Sequence, residues 1–389
     1  MKILFDENMP FAKQFFSNLC ANTQLESFSG RNLTVQQVSD ADVLLVRSIT
    51  QVNEALLKDN KNLSFVGTAT IGMDHIDQNY LTKRNISFHS APGCNAISVA
   101  EYVISSLVIL AERYLLDLTK LSVGIIGGGN TGTRLSEKLS ALGIQHKICD
   151  PLLEQSTTDN REFVSLDEAL QCDVISLHVP KIIEGDYPTY HLIDETRLKL
   201  LRQDQILISA CRGEVIDNQA LLTMKKAGHS VKLVLDVWEG EPKVLTPLID
   251  FTEIATPHIA GYSLEGKSRG TEMLYQALCE KLGILPSVQL SHLLPKTNIF
   301  EIKITKKTDP SLIHKLIKIV YDVRRDDRIF RQKLASEGFD NLRKNYPVRR
   351  EFSSVTVSIL PNICNDVAHR LGFNNGSKEL NLTNIINKI

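Results

Sequence analysis

The sequence lacks the marks of several protein classes. Its seven cysteines, at positions 20, 94, 149, 172, 211, 279 and 364, are odd in number, scattered and without a CxxC pair. Neither a disulfide framework nor a zinc site is implied, and reduced core thiols are expected. Charge of one sign is not in excess: 44 Lys and Arg face 45 Asp and Glu, a net charge of −1, which gives no global attraction to nucleic acid or an anionic membrane. The longest apolar stretch in a helical pattern, Tyr102 to Ala111, is ten residues between Glu101 and Glu112, about half a membrane span. Asp6 and Glu7 interrupt any signal-peptide core at once, so a cytoplasmic location is expected. No bias toward Pro, Gly, Ser or Gln, no repeat and no low-complexity segment marks a disordered chain. What is present, 43% hydrophobic and 23% charged residues over 389 positions, suits a folded chain of two or three domains.

Short apolar runs ending in polar residues recur at Lys2–Phe5, Asp42–Arg47 and Leu63–Gly67, with helix-length segments between them. This rhythm predicts a parallel α/β sheet, whose strands are buried on both faces and joined by crossovers. A long helix follows from Ser98 to Leu118, and the rhythm restarts at Leu121–Ile126, then Gln145–Cys149, Val174–His178, Ile206–Ser209, Lys232–Asp236 and Glu253–Thr256. A second α/β unit is expected there. Beyond Leu285-Pro286 the character changes: Lys315 to Arg350 holds eleven Lys or Arg against five Asp or Glu. Alternation in Ile299–Thr305 and Ser353–Leu360 around a helical span predicts a small α+β module.

Gly127-Gly128-Gly129-Asn130-Thr131-Gly132 fits GxGxxG directly after the LSVGII run. The six letters alone are weak. A preceding apolar strand, a following helix at Arg134–Leu142 and a second strand ending at Asp150, 18 residues past Gly132, are the companions a dinucleotide site needs. Gly127, Gly129 and Gly132 would let backbone N–H groups and the helix N-terminus meet a pyrophosphate. Asp150 would bind the ribose hydroxyls and repel a 2′-phosphate, and Pro151 rather than Arg follows, so NAD is expected over NADP.

Arg212 after ILISAC, Glu241 after LVLDVWEG and His258 after IATP sit just past strands of the second unit, where open α/β sheets place ligands. Each alone has a bland reading as a surface ion pair or a satisfied histidine. Together, beside a nucleotide fold, they offer a guanidinium to grip a carboxylate, and a carboxylate–histidine pair for proton transfer.

CRGEVID, DVWEGEP and TPHIAGY resemble the successive signatures of the D-2-hydroxyacid dehydrogenase family. MKILFDENMPFA, FVGTATIGMDHID, APGCNAISVAEYV, VYDVRRDD and LRKNYPVRREFSS carry the resemblance to a narrower branch that acts on a phosphorylated sugar acid. The resemblance implies NAD-dependent oxidation of 4-phospho-D-erythronate, a step toward pyridoxal phosphate. It makes His258 the acid/base, Glu241 its orienting partner and Arg212 the residue that holds the substrate. Ser48, Thr70 and Tyr262 match substrate-contact positions, with turn capping as the plain alternative for Ser48 and Thr70. Further NAD contacts would come from Val179, Ala210, Cys211, Arg212, Asp236 and Gly261, with a structural carboxylate as the alternative for Asp236. No metal is implied. Gly128 and Met73 depart from the usual pattern without removing a required group.

The architecture so implied is doubly wound. A split flavodoxin-like substrate domain (1–91 and 259–285, rejoined by a helix near Leu264–Leu282) surrounds a Rossmann NAD domain (92–258), and a C-terminal module (286–389) makes a homodimer. The substrate's phosphate needs a cation, and Arg47 is the obvious one in the first two domains. Arg349 or Arg350 is expected to be carried toward the partner's cleft. A dehydrogenase for another 2-hydroxy acid, such as 3-phosphoglycerate, and an NAD(H)-responsive regulator remain alternatives that turnover distinguishes.

Overall fold

The computed structural model describes residues 1–156, 158–305, 309–360 and 366–376. Cys364 lies outside them. Contacts gather the described residues into two compact units, the first of Met1–Asn95 and Tyr262–Pro295, the second of Ala96–Gly261 and the described residues from Lys296 onward.

The first unit is built on a parallel sheet of β1 (Lys2–Asp6), β2 (Gln24–Phe28), β3 (Val43–Val46), β4 (Phe65–Thr68) and β5 (Ser87–His89), in the order β2-β1-β3-β4-β5. This is the flavodoxin-like order. Side chains alternate faces along a strand, so Ile3 and Phe5 join a core with Val43, Leu45 and Phe65 on one face, while Leu4 joins Leu44, Val46 and Val66 on the other. Both faces are covered, which is why these strands read as unbroken apolar runs. The helix Leu264–Leu282 covers the first face through Leu274, Tyr275 and Leu278. Ser263 caps its start by accepting the Gly266 N–H, and Gly283, in the left-handed region at φ 68°, ends it. The edge strands β2 and β5 escape a reading by apolar runs. QLESF is mostly exposed and SFH is three residues long.

The second unit holds a six-stranded parallel sheet: β6 (Ser122–Ile126), β7 (Gln145–Cys149), β8 (Val174–Leu177), β9 (Ile206–Ser209), β10 (Lys232–Leu235) and β11 (Ile254–Ala255), ordered β11-β10-β9-β8-β6-β7. An isolated parallel bridge from Ile148 to Phe163 adds a rudimentary strand beyond β7. The order reverses at β6, which makes the gap between the C-terminal ends of β6 and β8 the switch point where such sheets bind ligands. The long helix Ala96–Tyr114 lies wholly in this unit.

The C-terminal residues form a parallel sheet of β12 (Glu301–Ile304), β13 (Thr356–Ile359) and β14 (Asn374–Asn375). Its helices share the core of the six-stranded sheet: Phe330, Phe339 and Leu342 pack in one cluster with Trp238, Leu248 and Ala255. Asp327 accepts the Ala255 N–H at 2.7 Å, and Arg331 donates to the Ile249 and Thr252 carbonyls. The helix Arg324–Glu337 therefore covers the end of the sheet where β11 would otherwise be an open edge. Among the described residues no helix is long and apolar enough to cross a membrane, and six cysteines are free, all but Cys20 buried.

Candidate active site

The glycine loop leaves β6 packed tightly at two points. Gly127 has φ +98°, and a side chain there would place Cβ 2.6 Å from the His178 carbonyl oxygen. At Gly132, in the first turns of the helix Asn130–Ala141, Cβ would fall 2.0 Å from the Gly127 oxygen. Only glycine fits at either position. Between them Gly129 is the N-cap, with no side chain capping the helix, and a Cβ built on it meets nothing within 4 Å. A loop closed at its two ends and open at its middle, with a twelve-residue helix behind it, suits an anionic pyrophosphate. Asp150, directly after β7, accepts the Gly128 N–H at 2.9 Å with one oxygen and the Leu153 N–H at 3.1 Å with the other. A Cβ on Gly128 would lie 2.9 Å from Ile148, so the glycine that departs from the family pattern is the one that approaches the Asp150 carboxylate. These residues fit NAD: helix end and carboxylate are in place for phosphate and ribose. Val179 follows β8, its side chain packed where Gly127 has none.

Arg212 follows β9 in extended conformation, with Nη1 donating to the Cys211 carbonyl at 2.8 Å. The next residue, Gly213, presses on the Trp238 backbone, where a Cβ would sit at 2.0 Å. Trp238 in turn donates its N–H to Glu241 Oε1 at 2.9 Å, and Glu241 Oε2 lies 2.7 Å from His258 Nδ1. A carboxylate on Nδ1 calls for the proton on that nitrogen and leaves Nε2 as the end that exchanges a proton. Burial works to raise the Glu241 carboxyl, but the charge and hydrogen bond of His258, the Arg343 charge and the Trp238 N–H outweigh it and hold the group below its ordinary value.

His258 itself stands in the left-handed region at φ 57°, a costly setting for a residue other than glycine. Asp236, 1% exposed at the end of β10, holds it there. The Asp236 carbonyl accepts the His258 N–H at 2.7 Å, Oδ1 accepts from Thr256 Oγ1 at 2.6 Å and the Ile259 N–H at 2.8 Å, and Oδ2 accepts the Ala260 N–H at 2.9 Å. Asp236 thus fastens the Thr256–Ala260 loop from inside, the structural role weighed for it beside cofactor contact. All of these groups follow the C-terminal ends of parallel strands, so one edge of the sheet carries Gly127–Gly132, Asp150, Val179, Ala210–Arg212, Asp236 and His258.

Three C-terminal residues bear on this edge without having been singled out in the sequence. Phe330 packs on Trp238 with ring centroids 5.7 Å apart, Asp327 holds β11, and Arg343 acts on Glu241 by charge. Of Arg349 and Arg350, the two arginines offered for the partner's cleft, Arg349 does not fit that role here: it is 1% exposed inside its own chain, where it donates to the carbonyls of Ala260 and Ser98 and lies 3.6 Å from the Tyr321 ring centroid. Backbone carbonyls and an aromatic face are the partners that satisfy this arginine.

In the first unit, Ser48 is exposed just past β3. The Thr70 hydroxyl donates to the Gly72 carbonyl at 3.0 Å and lies 2.8 Å from Thr68 Oγ1, which is 2.9 Å from His75 Nε2. Thr70 therefore holds its own turn. Tyr262 receives two cations at its ring, Arg47 at 5.3 Å and Lys267 at 5.6 Å. Lys267 was not anticipated; its signal in the sequence is a lysine in the opening turn of a helix, where cations are disfavoured.

Residues 109–260 match the family described as D-isomer specific 2-hydroxyacid dehydrogenase, NAD binding domain, and residues 293–372 match a domain of unknown function. A protein of Colwellia psychrerythraea named erythronate-4-phosphate dehydrogenase is 65% identical, over 96% of this chain and 100% of its own. One of the same name from Tolumonas auensis is 53% identical over 96% of this chain and 99% of its own. Among solved structures, the D-lactate dehydrogenase of Aquifex aeolicus complexed with NAD and lactic acid is similar with a TM-score of 0.59 at 25% identity, covering 72% of this chain and 95% of that one. The chain belongs to the erythronate-4-phosphate dehydrogenase family, within the D-isomer specific 2-hydroxyacid dehydrogenases.

Proposed function

We propose that the chain oxidises 4-phospho-D-erythronate to (R)-3-hydroxy-2-oxo-4-phosphooxybutanoate with NAD, in the biosynthesis of pyridoxine 5′-phosphate (vitamin B6). The observation that carries the chemistry is the Glu241–His258 pair, 2.7 Å apart, on the same sheet edge as Arg212 and the glycine loop. The substrate is supported by the names of relatives that match almost the whole chain.

In this reading His258 Nε2 takes the proton of the C2 hydroxyl, and NAD, held by the residues named below, would accept the hydride from C2. Glu241 keeps the imidazole oriented and stabilises the positive charge it gains. Arg212 pairs with the substrate carboxylate and offers an N–H to the carbonyl forming at C2. Ser48, Thr70 and Tyr262 contact substrate; Asp150 takes the adenosine ribose; Gly127, Gly129 and Gly132 take the pyrophosphate; Val179, Ala210, Cys211, Asp236 and Gly261 complete the cofactor contacts. The protein works in the cytoplasm as a homodimer formed through residues 286–389.

NADH formation with 4-phospho-D-erythronate and 3-phosphoglycerate offered in parallel tests the substrate. Turnover of the first alone is expected. Turnover of 3-phosphoglycerate alone would keep the mechanism and discard the substrate, and NADH binding without turnover of either would favour a regulatory protein.

A further inference from the structure

The first unit holds a pair of cations that the reaction steps above leave unused. Its strand order turns around at β1: the chain goes out to β2 and returns to β3 on the other side. The crevice at the C-terminal ends of β1 and β3 is therefore the place where this sheet receives ligands. Arg47 is the first residue after β3, and its Nη1 donates to the carbonyl of Asn8, two residues after β1, at 3.1 Å. The guanidinium is thus anchored across the turn-around point with a hydrogen bond that uses one of its five N–H donors.

Lys267 comes to the same place from the helix Leu264–Leu282. It is the fourth residue after the Ser263 cap, close to the positive end of a nineteen-residue helix. Its Nζ and the Arg47 guanidinium are gathered at one aromatic ring, 5.6 and 5.3 Å from the Tyr262 centroid. Among the described residues neither cation forms an ion pair, whereas Lys2, Lys181 and Lys318 are all paired with carboxylates. A helix dipole, a neighbouring guanidinium and partial burial all oppose the ammonium, and no acidic side chain offsets them. Burial, and then the Arg47 charge, push Lys267 down to about 8.

We propose that Arg47 and Lys267, gathered at the Tyr262 ring beside Ser48, form the seat of the substrate's phosphate group. A phosphomonoester brings a charge of about −1.5 to −2 at neutral pH and three acceptor oxygens, enough to compensate both cations at once. Arg47 supplies planar N–H donors to two oxygens, Lys267 a mobile point charge to the third, and the helix N-terminus adds to the attraction. The seat gives the protein its preference for phosphorylated over plain hydroxy acids. It also removes the need for an arginine from the C-terminal module, consistent with the burial of Arg349.

This inference rests on the reaction proposed above, and the two are tested separately. Lys267→Met, Arg47→Met and Lys267→Arg are compared with the wild type for the ratio of kcat/KM on 4-phospho-D-erythronate to that on D-erythronate, with NADH affinity as the check on folding. The ratio is expected to fall on the order of 100-fold in each Met variant, and by about tenfold or less in Lys267→Arg. A folded Met variant that keeps the ratio within about threefold overturns the seat. Inorganic phosphate is titrated into the same proteins by calorimetry. Binding by the wild type that is lost in both Met variants supports the seat, whatever the enzyme turns over; equal binding in all, or none in the wild type, overturns it. If the wild type turns over no phosphorylated acid, the reaction fails while the phosphate titration still decides the site.

Discussion

Replacing Arg349 by Met separates a brace inside the fold from a hand reaching toward substrate. The guanidinium donates to the carbonyls of Ala260 and Ser98 and stacks on Tyr321. Met fills much of the volume but donates nothing, so two carbonyls in a dry interior lose a charged donor, at about 1–3 kcal/mol each. The stacked cation contributes about 2 kcal/mol when desolvated. Relief of the buried charge offsets part of this, and a net loss of about 3–5 kcal/mol is expected. At roughly 2–4 °C per kcal/mol for a unit of this size, the melting temperature falls by roughly 10 °C. The assay is built in. Trp238 is the single tryptophan, 1% exposed, with its indole N–H on the Thr256 carbonyl at 2.9 Å, so its fluorescence reports the second unit alone. Arg350→Met, at a half-buried neighbour, is the control, with a shift below about 2 °C. A wild-type melting temperature in Arg349→Met, combined with a raised substrate KM, would refute the brace and restore the role first expected of this residue.

Other outcomes follow from the same geometry. Glu101 is buried beside Lys138, Glu351 and Arg349, and desolvation outweighs the cations and pushes its carboxyl up to about 7. A raised acid binds its proton more tightly folded than unfolded, so stability falls as pH rises from about 4.5 to about 7, by about 3 kcal/mol in all. Denaturant unfolding of Glu101→Gln, measured against pH, is expected to lose that decline; an identical profile would contradict it. Asp236→Asn turns an N–H toward one of the loop donors now on its carboxylate, and kcat is expected to fall about 100-fold with stability lower by about 2–3 kcal/mol. Steady-state kinetics with a chemical melt check both. Gly132→Ala sets a methyl 2.0 Å from the Gly127 oxygen, and NADH affinity measured by fluorescence titration is expected to drop at least tenfold.

The parallel sheets were legible because their central strands are covered on both faces. VLLV, VISL and ILIS have every residue buried, and a run of that kind announces itself. The edges were not: β2 and β5 are exposed or brief, and β14 is two asparagines. The candidate site was legible where a residue type is needed for local backbone reasons, as at Gly127 and Gly132, or where it follows a strand end, as at Asp150, Arg212 and His258. What escaped depended on long-range packing. Nothing local to Asp236 says that amides 23 and 24 residues later will close on it, nor that Arg349 will turn inward to Ala260, 89 residues away. Lys267 looked like an ordinary helical lysine until Arg47 stood beside it without a carboxylate between them.

The most direct measurement supplies 4-phospho-D-erythronate deuterated at C2, with NAD, and weighs the reduced cofactor by mass spectrometry. The account predicts one deuteron in the NADH formed by the wild type, and a rate reduced by at least about 1,000-fold in His258→Gln, whose amide cannot take the C2 hydroxyl proton. Unlabelled NADH, no NADH from the wild type, or an undiminished rate in His258→Gln would contradict it.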